Sequence, residues 1–355
     1  MARLFKPSDL EDKVTQLIRA AGSSDAESRL VAANLVLANL SGHDSHGIGM
    51  APRYVDAVLE KNLKPDAQVA IRLDSGMLLG LDGQQGYGQA VGTQTMELVF
   101  ERVARHGACI ASLANAHHLG RIGHFAEMAV ARGLVSLHFV NVLSRPIVAP
   151  WQGGDGRFGT NPCCIGIPIG VGDSVREPFV LDFATSRVAQ GKMRVAHNKG
   201  QQVAPGTLID REGRPTTEPG VVVVPDANGR MGALMPFGEH KGYGLAVACE
   251  LLGGALTGGG TWHRQSDGRR AVYNGMLSIV IDPKALGAQP GFAQETLAFV
   301  DWLRQSPPAP GYDGVLLAGE PERAARAARM RDGIEVDDAT WGEIEAAANK
   351  VGARV

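Results

Sequence analysis

Two histidines, an acid and a hydroxyl crowd together in Gly42-His43-Asp44-Ser45-His46-Gly47. Imidazole titrates near neutral pH, so this cluster suits reversible proton transfer to an oxygen, with a serine beside it to hold the ring or a substrate atom. A polar capping loop would use the same residue types. A second cluster, Asn115-Ala116-His117-His118-Leu119-Gly120-Arg121-Ile122-Gly123-His124, follows an apolar run and opens a helical pattern. Free N–H groups at a helix start attract phosphate, Gly120 would let it approach the backbone, and Arg121 could clamp it. The two adjacent histidines also fit the plain end of a strand.

Three further motifs follow. In Phe158-Gly159-Thr160-Asn161-Pro162 the residue before proline is held extended, and Thr160 can donate to a carbonyl or carboxylate; a pure turn explains the motif equally well. Val180-Leu181-Asp182-Phe183-Ala184-Thr185-Ser186 ends an apolar strand in an acid, which could orient an imidazole or cap local N–H groups. Phe237-Gly238-Glu239-His240-Lys241-Gly242 opens a helix, where His240 and Lys241 could meet a phosphate or ribose, or form an ordinary first turn. Gly86-Tyr87-Gly88-Gln89-Ala90-Val91-Gly92 only mimics a dinucleotide fingerprint. Its last interval is one residue too long, and the next strand ends at Asn115 rather than at a ribose-binding acid, so it reads as a strand–helix turn.

Periodicity supplies the elements that must carry these motifs. Helices are expected over 10–20, capped by Ser8, and up to 40, capped by Ser24 or Asp25, followed by a short helix over 52–60. A hairpin spans 69–73 and 77–81, and a long helix 89–105. Strand 108–114, helix 122–132 and strand 134–142 follow, then strands 164–168 and 179–183 and a helix over 188–196. Residues 198–219 read as a surface connector or hairpin. Helix 242–256, strand 274–281 and helices 294–304, 320–328 and 340–351 complete the chain. The alternation predicts strands buried on both faces beneath helices.

Composition narrows the function. Lysine plus arginine total 35 against 37 acids, giving a net charge of -2 and no electrostatic reason to expect nucleic acid or an anionic membrane. With 355 residues, 44% hydrophobic and 20% charged, the chain can bury one large core or two moderate ones. The four cysteines lack the spacing of a disulfide framework or zinc ribbon, which fits a reducing cytoplasm. The start MARLFKPSDLEDK has no signal-like apolar run, and no stretch reaches the ~18–20 apolar residues of a membrane span.

Taken in order, GHDSHGIGM, HHLGRIGHFAEMA, VAPWQGG with FGTNP, LDFATS, EHKGYGLA and LLAGE resemble the non-Rossmann malate/L-lactate dehydrogenase family over nearly the whole chain, and most of all its bacterial hydroxycarboxylate dehydrogenase B branch. The resemblance implies an α/β fold with a mixed sheet. It further implies a substrate and dimerisation domain formed by residues 1–115 with 285–355, and an NAD(P)-binding domain at 116–284. It implies NAD or NADP as cofactor, a small 2-oxo or 2-hydroxy acid as substrate, no metal, and a homodimer. His46 matches the proton donor and acceptor beside the nicotinamide, with Ser45 and Asp182 as its relay, and Thr160 a substrate contact. Cofactor contacts map to His46, His118, Gly120, Arg121, Ile122, Val180, Leu181, Asp182, Phe183, Ala184, His240, Asn274, Ala318, Gly319, Glu320 and Pro321. One position departs: Met50 stands where many members carry Arg or His, leaving Arg53 or Arg121 to anchor the substrate carboxylate. Other readings of the same residues are a reductase of cyclic imines of the Δ1-piperideine-2-carboxylate type, a metal-dependent hydrolase or lyase, and a non-catalytic binding protein.

Overall fold

The computed structural model describes residues 2–170, 174–263, 271–287 and 291–355. The chain opens with β1 (Ala2–Phe5), α1 (Pro7–Ala20), α2 (Asp25–Leu40) and α3 (Ala51–Leu59). Helix α1 starts one residue before Ser8, because Pro7 sits at its first position, where a fixed φ helps and the missing N–H costs nothing. Ser24 caps α2 by accepting the Glu27 N–H at 3.3 Å. The hairpin β2 (Ala70–Ser75) and β3 (Leu78–Asp82) leads into α4 (Gly88–His106), β4 (Ala108–His117), α5 (Gly123–Val130) and β5 (Val135–Leu143).

The second half runs β6 (Cys163–Ile169), β7 (Arg176–Phe183), α6 (Gln190–Asn198), and the short strands β8 (Leu208–Ile209), β9 (Pro215–Thr216) and β10 (Ala233–Leu234). Helix α7 (His240–Cys249) continues into a π turn, Glu250–Ala255, and β11 (Tyr273–Ile281), α8 (Gly291–Arg304), α9 (Glu320–Asp332), β12 (Ile334–Asp337) and α10 (Asp338–Val351) close the chain.

The main sheet has seven strands in the order β2-β3-β4-β11-β5-β6-β7. Only the β3–β4 pairing is parallel; every other neighbour is antiparallel. The sheet is therefore mixed, as the family resemblance implies. Strand β11 enters between β4 and β5 and sets Asn274 opposite both Ala116 and Val142. That insertion brings a residue from late in the chain to the end of β4, where His117 and His118 lie.

Among the described residues, three larger apolar cores and a small one at Ala149, Ile209 and Ala233 hold these pieces. Leu10, Leu17, Ile18, Leu35, Tyr54, Trp341 and Ile344 join α1, α2, α3 and α10, and β1 pairs antiparallel with β12 along the same core. Leu113, Phe125, Val140 and Met276 fill the space between the sheet and helices α4 and α5. Val148, Phe158, Leu208, Leu234 and Ala246 support the small sheet β10-β8-β9. No helix among the described residues is long and apolar enough to cross a membrane.

Candidate active site

The GHDSHG loop leaves α2 and is tied at several points. Asn39, in the last turn of α2, accepts the Ile48 N–H at 2.8 Å and donates to Asp44 Oδ1 at 2.6 Å. A side chain at Gly47 would strike the Asn39 amide at 2.1 Å, so this turn requires glycine. Arg329 of α9 grips both Asp44 oxygens, at 2.6 and 3.0 Å, and His43 Nε2 lies 3.2 Å from Glu322 Oε1 on the same helix. Asp44 and His43 are thus loop anchors. Ser45 is exposed.

His46 meets His118. Nδ1 of His46 lies 3.2 Å from Nε2 of His118, and the rings stack with centroids 5.3 Å apart. The other His118 nitrogen lies 2.7 Å from the Tyr54 hydroxyl, and the Gln89 amide donates to that hydroxyl at 2.7 Å. Burial pushes His46 down to about 4, and the positive fields of His43 and Arg121 add to it. Burial also holds His118 well below its usual range, helped by His46, His117 and Arg53. Both rings are neutral at pH 7. His117 has a different role: it is 2% exposed, set edge-on between Tyr54 and Tyr273, and neither ring nitrogen has a hydrogen-bond partner among the described residues.

Most of the expected cofactor residues converge from three segments. The turn after β4 is held where Asn274 accepts the Leu119 N–H at 2.9 Å, and Gly120 there has a φ of 79°. At the start of α5, Asp182 of β7 accepts the Gly123 N–H at 2.6 Å. Val180 donates to Ala318 O at 3.1 Å, which brings the Ala318–Pro321 turn against β7. Arg121 is buried and pairs with Glu127, which also pairs with Arg326 of α9. His240 stands apart from this convergence: it is exposed at the first residue of α7, with its ring 5.4 Å from Trp151. Thr160 sits on a rigid loop, its carbonyl accepting from both the N–H and the hydroxyl of Thr185 at 2.9 Å. Asn161 beside it donates to Glu250 at 2.8 Å and accepts the Val142 N–H at 3.0 Å.

The carboxylate expected to hold His46 therefore serves another group. Asp182 caps α5, and the hydrogen-bond partner of His46 is His118. Burial raises the Asp182 carboxyl, opposed by the Gly123 N–H and by Arg121. Residue type alone could not choose between Asp182 and His118, because a carboxylate and an imidazole can each hold a neighbouring imidazole by hydrogen bond. Three further residues escaped the motif reading. Tyr54 and Gln89 are buried and lie inside helices, where sequence patterns assign them to the core. In Arg145, in the loop after β5, partial desolvation lowers the guanidinium, and the positive charge of Arg53 adds to it. Met50 packs in the first apolar core.

A dinucleotide suits this convergence. Gly120 and Gly319, with φ of 79° and 95°, form tight left-handed turns that glycine adopts without strain. Arg121, Arg323 and Arg326 bring positive charge for phosphate. A cleft of about 560 Å³ opens alongside, lined by Pro178, Val180, Arg323 and Arg326 among others. Among the described residues no group of three or more His, Cys, Asp or Glu is placed to hold a metal ion.

Fold and site together are those of an α/β dehydrogenase built without the classical dinucleotide fingerprint. Residues 5–345 match the malate/L-lactate dehydrogenase family, and the chain belongs to it, a family of pyridine nucleotide-dependent oxidoreductases. It is 42% identical to hydroxycarboxylate dehydrogenase B of Escherichia coli strain K12, over 98% of this chain and 94% of that protein. It is 39% identical to an L-lactate dehydrogenase of Cupriavidus necator, over 92% of this chain and 91% of that one. A solved structure of a proposed malate/lactate dehydrogenase from E. coli superposes with a TM-score of 0.93 at 42% identity, covering 99% of this chain and 96% of the other.

Proposed function

We propose that this protein interconverts a 2-oxo acid and the corresponding 2-hydroxycarboxylate with NADH or NADPH, and that His46 is its proton donor and acceptor. The observation that carries the reading is the His46–His118 contact set beside the Gly120 turn. It gives a half-buried imidazole, oriented through one nitrogen, with the other left for a substrate oxygen. The nicotinamide supplies the hydride when bound.

The remaining roles fall to the chain. Arg53 and Arg145, whose positive charges oppose each other, are suited to share a substrate carboxylate. Thr160, on its pinned loop, can donate to the same acid group. A bound carboxylate also offsets the positive field around His46 and His118, so the imidazole takes up a proton more readily once substrate is present. Asp182 shapes the cofactor turn through Gly123, and the exposed Ser45 adjoins His46 in the chain. The reading extends to a homodimer working in the cytoplasm; the four cysteines are buried and unpaired, which suits a reducing compartment.

The test is a panel of 2-oxo acids and cyclic imines with both nucleotides, on native enzyme and His46→Ala. Reduction of at least one 2-oxo acid is expected, with kcat lowered by roughly 10²–10⁴-fold in the variant. Near-native turnover by His46→Ala removes the assignment of that residue. Turnover of imines alone transfers the reading to a cyclic imine reductase.

A further inference from the structure

We infer that Tyr54, oriented by Gln89, is a positioning residue that fixes which nitrogen of His46 carries the proton. The inference deepens the proposed acid–base role of His46 and rests on it.

Four side chains from separate parts of the chain form a single file: Gln89 in the first turn of α4, Tyr54 in α3, His118 just past β4, and His46. The Gln89 Nε2 group is a donor, and it lies 2.7 Å from the Tyr54 oxygen. That oxygen accepts there, so its only hydrogen is available to the second neighbour, Nδ1 of His118, at 2.7 Å. With Nδ1 accepting, neutral His118 carries its hydrogen on Nε2. This nitrogen faces Nδ1 of His46 at 3.2 Å, which accepts in turn. The hydrogen of neutral His46 is left on Nε2. Direction enters at the Gln89 end and is passed along unchanged, because each link has one hydrogen and one vacancy.

The surroundings protect this order. Gln89 and Tyr54 are fully buried and His118 is 8% exposed, so water has little access to substitute for a link. The guanidinium groups of Arg121, near His46, and Arg53, near His118, both favour the neutral rings. Gly88 matters as well: a Cβ there would fall 2.3 Å from the His118 carbonyl oxygen, so α4 can bring Gln89 this close only because position 88 is glycine.

The functional consequence is specific. An Nε2–H on His46 makes that nitrogen a hydrogen-bond donor, matched to a keto oxygen. Adding a second proton to His46 requires His118 to shift its hydrogen to Nδ1, with the Tyr54 oxygen now accepting. A hydroxyl serves both arrangements by turning its hydrogen, and a phenyl ring serves neither. A residue present only to fill the core would leave the tautomers untouched when its hydroxyl is removed.

The experiment is long-range ¹H–¹⁵N spectroscopy of the full-length enzyme labelled at histidine, without substrate, which reads the tautomer of each ring. Native enzyme is expected to show Nε2–H at both His118 and His46. Tyr54→Phe is expected to give mixed tautomers at both. Gln89→Glu, read at a pH where the introduced carboxyl is ionised, replaces a donor with a pure acceptor. It should reverse the file, giving Nδ1–H on both rings. In both variants reductive kcat should fall by about tenfold or more, while nucleotide affinity moves by less than about twofold. Nδ1–H on His46 in the native enzyme overturns the inference, as does an unchanged native pattern in both variants. If the tautomers behave as stated but no 2-oxo acid is reduced, the positioning role stands and the activity reading falls.

Discussion

Asn274 Oδ1 accepts the Leu119 N–H at 2.9 Å while its Nδ2 donates to the Asn141 carbonyl at 2.9 Å. Asn141 reciprocates, accepting the Gly275 N–H at 2.9 Å and donating to Gly260 O at 3.0 Å. Two buried amides thus lock β5, β11 and the turn that presents Gly120 and Arg121. The shape of a proposed cofactor turn is set by a side chain 155 residues further along the chain.

Asn274→Ala would leave the Leu119 N–H and the Asn141 carbonyl without that partner, in a place 4% exposed at Asn274. Each bare group costs about 1–3 kcal/mol. The expected outcome is a lower denaturation midpoint, together with nucleotide affinity weakened by roughly tenfold and a smaller change in kcat at saturating nucleotide. Urea unfolding and nucleotide titration measure the two effects. An unchanged nucleotide affinity would disconnect the turn from the cofactor.

Gly88→Ala places a methyl group 2.3 Å from the His118 carbonyl oxygen and 2.5 Å from that of His117. Backbone atoms cannot move aside as a side-chain tip can, so α4 must shift from the end of β4. Overpacking of this kind typically costs about 1–3 kcal/mol. A drop in both melting temperature and kcat is expected. Gly244→Ala, inside α7 with nothing within 4 Å, is the control and should leave stability unchanged or slightly raised. Equal behaviour of the two variants would refute the close-approach argument.

Much of this architecture is legible locally. The cap at Ser24, the glycine after α4 and the apolar runs of β4 and β5 each depend on neighbours in sequence, so the elements appear close to their expected limits. Other features depend on contacts across the chain. The pairing of Ala2–Phe5 with Ile334–Asp337 joins two four-residue strands from opposite ends, and nothing within either segment announces its partner. The same holds at the site. His46 and Gly120 stand out by residue type, whereas Tyr54 and Gln89 look like helix interior, and their polar ends acquire meaning only once α3 and α4 meet. Asp182 shows the converse: a conspicuous acid whose nearest obligation is the N–H of Gly123.

Arg53 and Arg145 offer a direct test of how a substrate carboxylate is anchored where Met50 cannot serve. Arg53→Met or Arg145→Met removes one cation from a pair whose charges oppose each other without ligand. Charge-assisted hydrogen bonds contribute about 1.5–3 kcal/mol, so KM for a 2-oxo acid should rise by roughly tenfold or more. Nucleotide affinity should hold. Steady-state kinetics at saturating nucleotide measure the change, and an unaltered KM in both variants would move the anchor elsewhere, with Arg121 as the next candidate.

Buried histidines should make the fold acid-sensitive. His138 is fully buried on β5 with Nδ1 2.8 Å from the Ser278 hydroxyl, and burial pushes it down to about 4; His117 is pushed down to about 3. The unfolded chain, with histidines near 6.5, binds protons that the folded chain refuses. The stability these groups contribute is therefore complete above about 6.5 and is lost as pH falls toward their folded values, by up to about 1.4 kcal/mol per pH unit for each histidine. Asp182, Glu27 and Glu250 act with the opposite sign, since burial raises them and the folded state binds their protons first; hydrogen bonds to each carboxylate offset part of that. With at least four depressed histidines (His46, His117, His118 and His138) the net slope should be downward, and melting temperature should fall steeply between pH 6.5 and 4.5. His138→Gln should be less stable than native enzyme at neutral pH, because glutamine repacks imperfectly. Its deficit should shrink as the medium is acidified, since one proton-refusing site is gone. Thermal melts across that range decide it: a deficit that stays constant with pH would show that His138 carries no charge penalty in the fold.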